Sequence, residues 1–172
     1  MKNDYNISVA YANKFVRQLK EKLNHIYGQE DSKSTYVEIS GEKPIIPDYD
    51  LKETRRHVAD LMEDITTLKH AINQFNTTAE LSGTDLTVDQ ALVRMAMLNQ
   101  EKSRMLSMMQ TQPKTVHNSY RNTSSVAQYD VANFNPEDAA KYYEQLESEI
   151  TSIQLKQDSL NAKYCIKVEL HV

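Results

Sequence analysis

The sequence predicts a mainly α fold: about four helices forming an antiparallel long-helix hairpin or bundle, with a small β element built from a connecting arm and the C-terminal strand. Three observations carry this. Leu51, Thr54, Val58, Leu61, Ile65, Leu68, Ile72, Phe75 and Ala79 recur at alternating spacings of three and four, apolar everywhere except Thr54. That period belongs to a long helix laying a narrow apolar stripe against partner helices. A second seam runs through Ala139, Tyr143, Leu146, Ile150, Ile153, Leu160 and Tyr164, interrupted at Gln157. Three glycines and four prolines in 172 residues leave long stretches free of helix breakers. A chain of this length buries one substantial core, so residues 1–172 are read as a single α-helical domain.

The elements follow in order. The first helix is expected over about residues 8–27, where Ala12, Phe15, Val16, Leu19, Leu23 and Ile26 recur at helical spacing and Gly28 offers a C-terminal stop. Residues 31–49 change character: serines interrupt the pattern, Pro44 and Pro47 cannot sit inside a regular helix, and Tyr36 to Ile39 suit a short extended piece. A connection this long reads as an arm or binding loop. Asp50, with Glu53 three residues on, caps a second helix over 51–79. Gly83 marks a turn, and the capping box Thr87–Gln90 opens a third helix over about 88–112. A connection of that length between two long helices points to an antiparallel pair.

Residues 113–134 form a second arm, polar overall, in which Val116, Tyr120, Val126, Tyr129 and Val131 suit a projecting hairpin. Asn135-Pro136-Glu137-Asp138 starts a fourth helix over 136–164, with asparagine as cap, proline in the first turn and acids favoured by the helix dipole. Ile166, Val168, Leu170 and Val172 then alternate with Lys167, Glu169 and His171, the pattern of a half-buried strand over 165–172. Its pairing partner is sought in residues 31–49, in 114–134 or in a second subunit.

With the helices and arms in order, the chain resembles the septicolysin-like family of bacterial helical-hairpin proteins. The likeness is carried by Asn76-Thr77-Thr78 and Gly83 to Leu92 at the turn, then by Tyr129-Asp130-Val131 and by Glu169-Leu170 in the closing strand. The chain has no tryptophan, where the family usually carries one in its closing segment. The resemblance implies a helical-hairpin fold; the toxin-like label implies pore formation, to which these residues add nothing.

Composition excludes several functions. A net charge of -4 and a pI near 5.7 deny the chain the basic face that general nucleic-acid binding needs. No apolar run approaches the roughly 18–20 residues of a membrane span. The first residues lack the apolar core of a signal peptide, and the single cysteine, Cys165, leaves no intrachain disulfide framework. A reduced cytoplasmic setting is expected.

No phosphate loop, Ser-His-Asp set or kinase motif is readable, and no cofactor is expected. A di-iron site needs Glu-x-x-His pairs, and Lys22, Thr54, Thr67 and Lys114 stand three residues before His25, His57, His70 and His117. Glu53, His57, Asp60 and Asp64 share a helical face able to hold a divalent cation, although such a row is more often solvated and paired locally with Arg55 and Arg56. Cys165, Glu169 and His171 share a strand face, but Cys165 and His171 would stand about 20 Å apart, beyond hydrogen-bond reach. The methionines of the third helix are read first as core packing, but Met97 and Met108 fall off its main seam, so Met97, Met105, Met108 and Met109 join Ile166, Val168 and Leu170 as candidate interaction residues. Ten tyrosines point the same way. The sequons at Asn6, Asn76 and Asn122 are chance matches in an asparagine-rich chain.

The expected function is therefore a non-enzymatic structural or interaction protein, a homo-oligomer assembling through its amphipathic helices. The alternatives are an adaptor binding another protein through the polar arm 111–134, a metal-binding protein using the His57 face, and a membrane-active protein.

Overall fold

A computed structural model describes residues 2–117 and 127–172. The described residues are mainly helical, with four helices and two small antiparallel strand pairs among them. In chain order these are β1 (Asn3–Ser8), α1 (Val9–Lys33), α2 (Leu51–Thr78), α3 (Val88–Met109), β2 (Lys114–Val116), β3 (Tyr129–Val131), α4 (Pro136–Lys163) and β4 (Cys165–Leu170). Among the described residues no helix is long and apolar enough to cross a membrane. The chain divides into two compact units: residues 1–79 with 158–172, and residues 80–157.

The first unit is organised by α2. Asp50 caps it, accepting from the backbone N–H groups of Lys52 at 2.8 Å and Glu53 at 3.1 Å. Val58, Leu61, Leu68, Ile72 and Phe75 of the seam are buried, whereas Leu51 stays exposed. β4 packs on α2 with Ile166, Val168 and Leu170 buried, and α1 adds Val9, Ala12 and Leu19 to the core.

The expected partner of the closing strand was not found where the sequence placed it. β4 pairs antiparallel with β1, in register from Asn3↔Leu170 to Ser8↔Cys165. Residues 31–49 carry no strand, and β2 instead pairs with β3, from Lys114↔Val131 to Val116↔Tyr129. The expected β element of arm and C-terminal strand is thus two separate sheets. The alternation Tyr5-Asn6-Ile7-Ser8 was the available signal, too short to stand out beside a strong helix.

The first helix also departs from expectation. It starts after Ser8, whose hydroxyl accepts from the Tyr11 N–H at 3.2 Å, and it runs through Gly28 to Lys33. Gly28 has no positive φ and so serves as no stop. The reason is tertiary: Glu30 accepts a hydrogen bond from the Tyr49 hydroxyl and pairs with Arg55 of α2, and Arg55 lies 6.0 Å from the Tyr27 ring. These contacts offset the roughly 1 kcal/mol that an internal glycine costs a helix. A Cβ added at Gly28 meets nothing within 4 Å. Gly28→Ala is therefore expected to raise stability by about 0.5–1 kcal/mol in urea unfolding; a loss would place Gly28 in a left-handed stop instead.

In the second unit, Gly83 (φ 71°) turns the chain, with Leu81 N–H bonded to Leu86 O at 2.9 Å. The capping box forms as expected: Gln90 N–H donates to the Thr87 hydroxyl at 3.3 Å and Thr87 N–H to Gln90 Oε1 at 3.0 Å. α3 ends at Met109 rather than at residue 112. Met105 packs with Ala139 and Leu146 of α4, flanked by Leu98, Met108 and Tyr143. Arg94 pairs with Glu149 at 2.7 Å, and the Lys102 ammonium lies 5.6 Å from the Tyr143 ring. Asn135 Oδ1 accepts from Glu137 N–H at 3.1 Å at the start of α4. The hairpin residues Tyr120 and Val126 and the Asn122 sequon lie outside the described residues.

Candidate functional site

Two regions have the residue types from which a site is built. The first is the polar end of the first unit, where the candidate metal face lies. The spacing of α2 puts His57, Asp60 and Asp64 on one side, but they meet different surroundings. Asp64 is buried, and its Oδ1 accepts the backbone N–H of His171 at 2.8 Å, just beyond the end of β4. Its Oδ2 is buried without a hydrogen-bond partner. His57 and Asp60 line a cavity of about 330 Å³ with Lys22, Leu61 and His171. Glu53 lies in another cleft, with Glu30 and Tyr49. Among the described residues no three histidine, cysteine, aspartate or glutamate side chains come together in a way that could hold a metal ion.

The structure adds two residues the sequence reading missed. Glu63 accepts from Lys2 Nζ at 2.7 Å and from the His171 ring Nε2 at 3.0 Å, while His171 Nδ1 stands 3.9 Å from Asp60. The hydrogen bonds from Lys2 and then His171 hold the Glu63 carboxyl below its ordinary value of 4.5. The Glu63 bond likewise holds the Lys2 ammonium above 10.5, with Glu169 and Asp64 adding to it. The chemical effect is a charged clasp that ties the N-terminal strand and the closing segment to α2.

The clasp has two pH limits. A lowered carboxyl favours the folded state above the ordinary glutamate value, and its contribution is lost as pH falls through the lowered value. A raised ammonium contributes below the ordinary lysine value, and its contribution is lost as pH rises through the raised one. Glu63→Gln is expected to remove the part of acid unfolding that this carboxyl causes, read by circular dichroism from pH 6 down to about pH 2. Superimposable acid limbs for the two proteins would exclude it.

Cys165 and Glu169 project from the exposed face of β4, opposite the buried Ile166, Val168 and Leu170. Those three apolar residues, expected at an interface, are committed to the first unit's own core. The reason is the pairing with β1, which leaves this face turned toward α2. Met105 is likewise buried and Met108 packs half-buried beside it, whereas Met97 is 58% exposed and Met109 is 37% exposed.

The second region is apolar and exposed. Val93 and Met97 stand out on α3, and Met97 lines an open groove of about 630 Å³ with Leu98, Tyr142 and Leu146. In the connection before α2, Val37 is 84% and Ile45 91% exposed, with Tyr36, Ile39 and Ile46 also exposed. The β2–β3 hairpin exposes Val116, Tyr129 and Val131, with Lys114 Nζ 4.0 Å from the Tyr129 ring and His117 Nδ1 donating to Asp130 at 2.9 Å.

No family model matches this chain, and no curated protein matches it. Among solved structures, it is similar to the crystal structure of a functionally unknown conserved protein from Corynebacterium diphtheriae, at 15% identity, covering 97% of this chain and 100% of that one with a TM-score of 0.65. At that identity the likeness is one of fold.

Proposed function

We propose that this chain is a non-enzymatic structural or interaction protein that associates with copies of itself through its long amphipathic helices. One observation carries the reading: large apolar side chains stand exposed on the 34–50 connection and on α3, in a chain whose helices already have buried faces elsewhere. The charged clasp supports it from the other side, because its histidine, lysine and Glu63 are engaged with one another in joining strands to a helix. A reduced cytoplasmic setting, resting on the lone exposed Cys165, belongs to the same proposal, as does membership of the septicolysin-like family. Sedimentation or light scattering of the whole chain at micromolar concentration tests the reading. A mass above that of one chain is expected; a compact monomer at every concentration overturns it.

A second reading is favoured by the exposed hairpin. Val116, Tyr129, Val131 and Lys114 share one face of a three-pair ladder that has no core of its own. Such a face suits an adaptor that captures another protein. Deleting residues 111–134 then abolishes capture while leaving helicity intact, and unchanged capture excludes this role.

A further inference from the structure

We propose that residues 35–47 are an exchanged arm, which in solution seats in the α3–α4 groove of a second copy of this chain. The proposal rests on the self-association reading and names the surfaces that make it.

The arm is pinned at its base and carries exposed apolar side chains on both limbs, Tyr36, Val37 and Ile39 on one and Ile45 and Ile46 on the other. Glu30 holds both Tyr49 and Arg55, so the chain leaves α1 and returns to α2 at one place. Thirteen residues going out and back reach about 20 Å. The tip is already turned: Glu42 N–H donates to Ile39 O at 3.0 Å, and Gly41 sits at φ 90°. Pro44 and Pro47 restrict Lys43 and Ile46 to extended conformations, which lowers the ordering cost of docking. Residues 35–43 are exposed throughout, as are Ile45 and Ile46. The arm thus presents apolar side chains without seating them.

The groove offers both apolar and charged side chains: Met97, Leu98, Tyr142 and Leu146 line it together with Glu101 and Arg104. Among the described residues neither Glu101 nor Arg104 has an ion-pair partner, and neither do Glu42 and Lys43 of the arm. The arm offers an anion and a cation in sequence, and α3 offers an anion and a cation three residues apart, Glu101 and Arg104. A symmetric pair of copies contributes from each side an arm of thirteen residues and a groove of eight. Together these match the roughly 20–30 residues a side of a stable interface.

The test uses the full chain carrying Cys165→Ser. One tagged copy carries Ile45→Cys and a differently tagged copy carries Met97→Cys; the two are mixed and mildly oxidised. A disulfide joining the two tags is expected, and it disappears when either cysteine is omitted. Separately, Ile45→Glu with Ile46→Glu is expected to weaken self-association by about 100-fold, with helicity unchanged. Arg104→Glu is expected to weaken it too, and Glu42→Arg in the same chain to restore it. If the mixed copies do not cross-link and the arm variant associates like the parent, the arm proposal fails while self-association stands. A chain with both cysteines that cross-links within itself alone shows the arm folded back on its own copy, which also overturns it. A monomeric parent overturns both.

Discussion

Replacing Phe75 with alanine is expected to lower the unfolding free energy of the first unit by about 3–5 kcal/mol. Phe75 is 3% exposed, and its ring centroid lies 4.7 Å from that of Tyr164 at an interplanar angle of 43°. Tilted aromatic contacts of this kind add roughly 0.5–1.5 kcal/mol to the burial itself. The position is also a junction. Tyr164 links α4 to β4, and its carbonyl accepts the Val9 N–H at 3.0 Å, where β1 passes into α1. A cavity here therefore loosens α2, the closing strand and the first helix together. Urea unfolding followed by far-ultraviolet circular dichroism measures the loss. Phe75→Leu, which keeps most of the volume, is expected to cost less than half as much. A loss below about 1 kcal/mol for the alanine variant would mean that the site collapses without a cavity.

Removing residues 2–7 is expected to have an effect of similar or greater size. β1 and β4 share six residue pairs, and among the described residues β4 has no other strand partner. At about one backbone bond per pair and a net 0.5–1.5 kcal/mol per bond, the ladder contributes roughly 3–9 kcal/mol. Domain stabilities are about 5–15 kcal/mol. The truncation also removes Tyr5, whose hydroxyl donates to the main-chain oxygen of Val172 and whose ring is 6.4 Å from that of Phe15. It removes the Lys2 arm of the Glu63 clasp as well. Cooperative unfolding of the first unit is expected to be lost, and amide exchange at Val168 and Leu170 to approach that of an open chain. Unchanged protection at those two amides would mean that a second copy or one of the arms supplies the missing strand.

Much of the helical layout was legible because helix starts are written in four or five consecutive residues. Asp50, Thr87–Gln90 and Asn135-Pro136 each provide an acceptor for backbone N–H groups that have no partner within the helix. The α2 seam was legible too, since burial at a 3.6-residue period selects apolar residues at that period. The functional residues were less so. Asp64 looks in sequence like one more member of a solvated acidic row with Glu53 and Asp60. It is buried because the chain just past β4 arrives there with a backbone N–H that has left the ladder and requires an acceptor. Met97 and Met105 are the same residue type on the same helix, yet one is exposed and the other packs on Ala139 and Leu146. Which of them faces a partner depends on how α4 lies against α3.

The sequence by itself thus determined the helix class, the three caps and the apolar stripe of α2, all properties of residues within a few turns of one another. The tertiary structure alone decided which strand closes on β4, why α1 continues past Gly28, and which apolar side chains remain uncovered. Those outcomes depend on contacts between segments at opposite ends of the chain or across its long connections. Local propensity is blind to such contacts: an extended Tyr5-Asn6-Ile7 gains its stability when Ile166 and Val168 arrive to pair with it.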